Sequence, residues 1–101
     1  MNRGELWLAD LGYVGKTRPV LILSVPPGDS DRALFTSIIR TTSVRGTAYE
    51  VPHKERGQKD GAFDGQGIGT TDKSHLLRKL GTIDAETFTA VEASVRAWLA
   101  L

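Results

Sequence analysis

The sequence predicts a small, mainly β domain, a strongly bent β-barrel with one helix packed on it. Three observations carry that prediction. Short apolar or alternating runs, bounded by Gly, Pro and Asp, recur from residue 6 to residue 83, and runs of roughly four to eight residues with such punctuation read as strands. From residue 84 the apolar spacing changes to three and four, the period of a helix face. The length, 101 residues, allows one modest core and not two, so a single domain over residues 1–101 is expected.

Leu6, Leu8 and Leu11 around Trp7 and Asp10 give a near-alternating first strand. Residues 18–25 are an apolar run that Pro26-Pro27-Gly28 ends, as a buried second strand would be. The two prolines fix φ and remove donors, which makes 26–31 a turn or exposed loop. Residues 34–40 read as a third strand and 47–51 as a fourth, ended by Pro52, with 53–61 a solvated hairpin connection. Across 62–83 the pattern favours strand but Gly65, Gly67 and Gly69 interrupt it, which predicts bulges or close backbone approach. Residues 76–80 fit a helix or a strand equally. Beyond them Ala85, Phe88, Val91, Val95, Trp98 and Leu99 share one helix face, expected to be core, with Asp84 as N-cap and Glu86 in the first turn.

Composition excludes several classes. Hydrophobic residues make up 40% of the chain, yet no apolar run approaches the ~20 residues a membrane span needs. There is no basic, apolar leader at Met1-Asn2-Arg3-Gly4-Glu5, and there is no cysteine; a cytoplasmic protein without disulfides or membrane contact is expected. His53 and His75 stand apart and make no zinc constellation. The net charge of +1 divides unevenly, with an excess of +3 over residues 1–83 and −2 over 84–101. That permits a polyanionic partner without requiring one.

Arg18, at the mouth of the second strand, is the first candidate for chemistry. Its guanidinium stays charged and its fork of donors matches phosphate oxygens; an ion pair with Asp10 or Glu5 is the structural alternative. Thr42 and Ser43 end the third strand, where hydroxyls donate to a phosphate or satisfy a turn. The basic residues Arg40, Arg45, Lys54, Arg56 and Lys59 alternate with Glu50, Glu55 and Asp60, which fits a solvated face or a phosphate track. Trp7 and Tyr49 are able to stack on bases, although Trp7 on a barrel strand also suits the core or a dimer interface.

The block Arg3-Gly4-Glu5-Leu6-Trp7-Leu8-Ala9-Asp10-Leu11-Gly12 followed by Arg18-Pro19-Val20-Leu21-Ile22-Leu23-Ser24 resembles the N-terminal signature of the MazF/PemK/Kid toxins, the endoribonuclease halves of bacterial toxin–antitoxin pairs. The likeness continues through Phe63-Asp64-Gly65-Gln66, Thr70-Thr71-Asp72-Lys73-Ser74-His75-Leu76, Arg78-Lys79-Leu80-Gly81-Thr82-Ile83-Asp84 and Ala97-Trp98-Leu99, so it covers nearly the whole chain. It implies a Src-homology-3-like β-barrel of the CcdB/Kid/MazF type with a C-terminal α-helix. It implies metal-independent, cofactor-free cleavage of single-stranded RNA, in which the 2′-hydroxyl attacks its own 3′ phosphate.

Arg18 and Thr42 map onto the family's facing catalytic pair. Lys16, Thr17, Arg40, Ser43 and Gln66 are the implied nucleic-acid contacts, and His75 or His53 could move the proton. A homodimer and a MazE/PemI-like antitoxin with a disordered acidic tail are the implied partners. Three departures stand out, one being that the family's usual Ile-Thr-Ser reads Thr41-Thr42-Ser43 here, which keeps the hydroxyl but makes its neighbour polar. The connection Tyr13-Val14-Gly15-Lys16-Thr17 is shorter than the loop that commonly covers the family's active site, and Gly69 occupies the place of a basic residue before the Thr. The alternatives are a CcdB-like DNA gyrase binder, acting through the end of its terminal helix without Arg18 or Thr42, and an inactive RNA- or antitoxin-binding relative.

Overall fold

The computed structural model describes residues 1–12, 16–55 and 57–101. Six strands, β1 (Glu5–Asp10), β2 (Thr17–Ile22), β3 (Leu34–Thr41), β4 (Glu50–His53), β5 (Gly61–Asp72) and β6 (Leu76–Thr82), precede one helix, α1 (Ala85–Leu99). They form one sheet in the order β4-β5-β3-β2-β1-β6, antiparallel at every pairing. Among the described residues β4 and β6 are edges with one neighbour each. The hydrogen-bonded ladder therefore does not close, and the architecture is a mainly β, six-stranded antiparallel sheet with a C-terminal helix.

Alternation along the strands sorts the apolar residues onto two faces. Leu6, Leu21, Ile38, Phe63 and Ile83 join Val91 of α1 in one cluster. Ala9, Val20, Ile22, Phe35 and Leu76 form a second, flanked by Trp7 and Leu11. The first cluster lies under the helix. The second leaves the rest of its face open toward the ends of β2 and β3, where Ile39 is 39% exposed.

Three expectations for individual elements need correction, and one left open is decided. The second strand stops at Ile22, because Leu23 and Ser24 turn both N–H groups onto the Thr36 carbonyl. The fourth strand runs through Pro52 instead of ending there; β4 is an edge, so a residue without an N–H costs the ladder nothing on the outer side. Residues 76–80 belong to a strand, β6, set off from β5 by a short 3₁₀ turn that Asp72 caps.

The helix stripe is only partly core. Asp84 caps α1 by accepting from Thr87 N at 2.9 Å and Thr87 Oγ1 at 2.7 Å, and these bonds hold its carboxyl below the usual range. Val91 is buried and Phe88 and Val95 pack on the core, but Trp98 and Leu99 are about half exposed. In the last turn Trp98 rests edge-on against Tyr49, centroids 5.3 Å apart.

Glu5 is a buried carboxylate at the start of β1, 8% exposed. Burial pushes its carboxyl up, yet the Trp7 indole N–H at 2.9 Å, the Asn2 backbone and Lys79 at 3.3 Å hold it down to about 2 from 4.5. A carboxyl lowered on folding stabilises the protein above its unfolded value and loses that contribution as pH falls through its folded value. Glu5→Gln should therefore melt below wild type at pH 7, with the gap closing as pH falls from 4.5 through about 2. Parallel melting curves across that window check it, and a gap independent of pH would contradict the assignment.

Candidate nucleic-acid interface

The first residues of β2 and the last of β3 meet at one end of the open face. The antiparallel register Val20↔Ile39, extended by two residues, sets Arg18 across from Thr41. With a side-chain period of two, both share the face of Val20, away from α1. Around them lies a cavity of about 430 Å³ lined by Thr17, Arg18, Pro19, Ile39, Arg40, Thr41, Thr42 and Ser43. Arg18 is exposed; its Nη1 donates to the neighbouring Thr17 carbonyl at 3.1 Å. Among the described residues it is in no ion pair. Glu5, the partner considered from sequence, is taken by Lys79, and Asp10 instead accepts the Gly12 N–H at 2.9 Å.

Opposite the guanidinium stand three successive hydroxyl residues. Thr41 Oγ1 accepts the Ser43 N–H at 3.0 Å, which leaves its own proton available to a ligand oxygen. Thr42 and Ser43 are exposed at the same rim. A cation with unused donors facing hydroxyls is an arrangement suited to a phosphate. Sequence reading named Thr42 and passed over Thr41; the alternation Phe35, Ser37, Ile39, Thr41 on one face was the signal that could have found it.

Two further hollows continue this surface. One, of about 230 Å³, shares Ile39 and is lined by Asp10, Leu11, Ser37, Gly67, Gly69, Thr70, Thr71 and His75. On its wall the buried hydroxyls of Ser37 and Thr71 lie 2.7 Å apart. The other shares Ile39, Thr41 and Ser43 and adds Arg45, Glu50, Asp64 and Gly67. Glu50 is occupied there by the backbone N–H groups of Arg45 and Thr47, which hold its carboxyl low.

The remaining sequence candidates fall differently. Lys16 and Gln66 are exposed but line none of these hollows; Gln66 sits in the bend of β5, its N–H held by Asp64 at 2.9 Å. Arg40 departs from the expected phosphate contact. It is 5% exposed and on the face opposite Arg18, with its guanidinium bonded to His53 and to the Lys59 carbonyl. His53 is correspondingly buried, whereas His75 is exposed on the wall beside Asp10. Lys54 pairs with Asp60 at 3.7 Å in the solvent. Arg56 and residues 13–15 of the first connection lie outside the described residues.

The family profile of the PemK-like, MazF-like toxins of type II toxin–antitoxin systems matches residues 2–99. The chain belongs to that family. Among solved structures, this PemK/MazF-like toxin is similar to a mycobacterial endoribonuclease in complex with its cognate antitoxin, with TM-score 0.85 and 25% identity over 100% of this chain and 96% of that one. It is also similar to the Mycobacterium tuberculosis toxin MazF-mt6, with TM-score 0.80 and 25% identity over 96% and 97% of the two chains. Its fold is likewise that of MazF in the Deinococcus radiodurans MazE–MazF complex, with TM-score 0.85 and 20% identity over 100% and 96%. A search of curated protein sequences finds no significant match. Among the described residues no helix of the toxin is long and apolar enough to cross a membrane.

Proposed function

We propose that residues 1–101 act as one toxin domain, an endoribonuclease that cuts single-stranded RNA in the groove between Arg18 and Thr41–Thr42 without a metal. The observation that carries this reading is Arg18 itself, a guanidinium in no ion pair among the described residues, at the edge of a hydroxyl-lined cavity. The 2′-oxygen of a ribose attacks the adjacent phosphorus and the bond from phosphorus to the 5′-oxygen breaks. The products are a 2′,3′-cyclic phosphate and a 5′-hydroxyl, the proton lost at the 2′-oxygen being balanced by one gained at the 5′-oxygen. Arg18 and the threonine hydroxyls stabilise the charge that builds on the phosphorane oxygens, as donors aimed at a developing oxyanion do.

The Arg18 guanidinium is a donor only and has no lone pair with which to take the 2′ proton. His53 does not reach it, because its Nδ1 is committed to Arg40. His75, in the adjoining hollow, is the imidazole left for that role. Charge stabilisation by Arg18 and the threonine hydroxyls needs no metal ion, and among the described residues no group of three His, Cys, Asp or Glu is placed to hold one. Cleavage of a single-stranded RNA should therefore persist in EDTA; loss on chelation with recovery in Mg²⁺ would contradict the mechanism.

The toxin's relatives with bound antitoxins support a cytoplasmic setting and a cognate MazE/PemI-like partner whose acidic tail competes with RNA for the Arg18 groove. The open face of the sheet suits a homodimer, with the sheet read as the wall of an incomplete Src-homology-3-like barrel. The one observation favouring the second reading, a CcdB-like protein contact through the end of α1, is the half-exposed Trp98.

Thr42→Val separates binding from rate. A neutral donor adds little to ground-state affinity and more to the transition state, so kcat should fall about tenfold with KM nearly unchanged. Steady-state cleavage of a labelled oligonucleotide checks this, and a defect in KM alone would make Thr42 a positioning residue.

A further inference from the structure

The end of β3 that carries the hydroxyl rim is held from beneath by a buried cation that the cleavage chemistry does not use. Arg40 points through the sheet, away from Arg18. Its Nε donates to His53 Nδ1 at 2.8 Å, and its Nη2 donates to the carbonyls of His53 at 2.9 Å and Lys59 at 2.7 Å. One side chain thus ties together the end of β3, the end of β4 and the segment leading into β5. Among the described residues no carboxylate pairs with it. An unpaired buried charge persists only where its donors are satisfied, and here the acceptors are two carbonyls and one imidazole nitrogen.

The packing around this fork leaves no slack. At Gly61 a Cβ would lie 2.6 Å from the Thr41 carbonyl oxygen, 2.7 Å from Arg40 Nη1 and 2.8 Å from its Cζ. The backbone of β5 therefore rests directly on the guanidinium and on the residue that begins the rim. The Phe63 ring packs against the imidazole at a centroid distance of 5.1 Å. Because Nδ1 accepts, His53 must be neutral with its proton on Nε2.

We propose that Arg40 and His53 are positioning residues for the cleavage groove: the neutral imidazole fixes the buried guanidinium, the guanidinium fixes the β3–β4–β5 corner, and the corner fixes Thr41 and Thr42 against Arg18. The inference rests on the proposed cleavage site for what is being positioned, and on geometry for the corner itself. Protonating His53 would turn Nδ1 from acceptor to donor and set two cations in contact. The charged groups facing His53 among the described residues are Arg40 from β3, Glu55 from the connection after β4 and Asp84 ahead of α1. Burial first, and Arg40 second, hold its pKa below 6.5 against the two carboxylates, so the corner should loosen only in acid.

Three variants and two readouts test the proposal. His53→Asn keeps an acceptor oxygen near the Nδ1 position and cannot be protonated; His53→Leu removes the acceptor; Arg40→Met removes the fork. Wild type should lose kcat as pH falls below 6.5 with KM little changed, and, since the proposed base His75 is present in both proteins, His53→Asn should show a shallower fall in acid than wild type while keeping a rate near wild type at neutral pH. Folded His53→Leu and Arg40→Met should show kcat lower by about ten- to a hundredfold, the scale of a misplaced reacting group. Independently of cleavage, the amide resonances of Thr41, Thr42 and Ser43 should move with the His53 titration in wild type and stay still over the same range in His53→Asn.

Rim amides indifferent to His53 titration, or an active His53→Leu with an unchanged acid limb, would overturn the proposal. Were wild type to cleave no RNA while the rim followed His53, the nuclease reading would fail and the positioning inference would stand.

Discussion

Replacing Arg18 with alanine should lower RNA cleavage by about 10² to 10³-fold or more, the cost of removing one preorganised donor from a developing oxyanion, and leave the fold intact. The two halves of that expectation have separate grounds. Stability should hardly change, because the side chain is exposed and its hydrogen bond to the protein is to the adjacent Thr17 carbonyl; exposed substitutions away from caps and buried pairs stay within about 0.5 kcal/mol. Rate should collapse, because among the described residues no other guanidinium lines the groove with free donors: Arg40 lines it from below but is committed to His53 and Lys59. Arg18→Lys should recover only part of the rate, since an ammonium carries the charge without the planar fork. Melting curves beside single-turnover cleavage decide the matter. A folded Arg18→Ala with wild-type turnover would move the chemistry elsewhere and return the half-exposed Trp98 to the centre of the argument.

Much of the frame that positions Arg18 was legible because it depends on local rules. The near-alternation of Leu6, Leu8 and Leu11 around Trp7 and Asp10 marks β1, and the Asp84 cap with its Thr87 partners marks the start of α1. Arg18 and Thr42 both line one cavity. The misses are tertiary. Whether Pro52 breaks a strand depends on β4 being an edge, which is a fact about sheet order. Whether Trp98 is core depends on how far the sheet extends beneath α1, which helical periodicity does not encode. Arg40 was the costlier miss, since lysines and arginines in a polar stretch read as solvated face. Alternation held the answer: if Ile39 and Thr41 face the groove, Arg40 faces the core, and a buried arginine then requires acceptors that only the fold brings from His53 and Lys59.

The glycines of β5 were expected to mark bulges or close approach, and the structure separates the two. Between the rungs Ile38↔Ile68 and Arg40↔Phe63 a single residue of β3 faces four of β5, so the long strand bends there. Gly65 lies in that bend against α1: a Cβ would sit 2.9 Å from the Ser94 carbonyl carbon and 3.0 Å from its oxygen, with Ser94 Oγ closer still. At Gly69 a Cβ would meet nothing within 4 Å.

Gly65→Ala should therefore destabilise the protein by about 3 kcal/mol, the upper end for overpacking a close-packed site. Apart from the Ser94 hydroxyl, the atoms in the way are helix backbone and have no flexible tip to swing aside. Relief requires lifting α1, which would draw Val91 out of the cluster it completes with Phe63 and Leu21 and strain the Tyr49 carbonyl, where the Gly65 N–H and the Ser94 hydroxyl converge. For a domain of this size that is a fall in Tm on the order of 15 °C. Gly69→Ala is the control, expected to melt within about 0.5 kcal/mol of wild type because nothing opposes the added methyl. Equal melting temperatures for the two variants would mean that α1 does not seat on β5 at Gly65. A cooperative loss confined to Gly65→Ala, with cleavage per folded molecule preserved, would place the helix seat and the Arg18 groove on opposite faces of one sheet as independent parts.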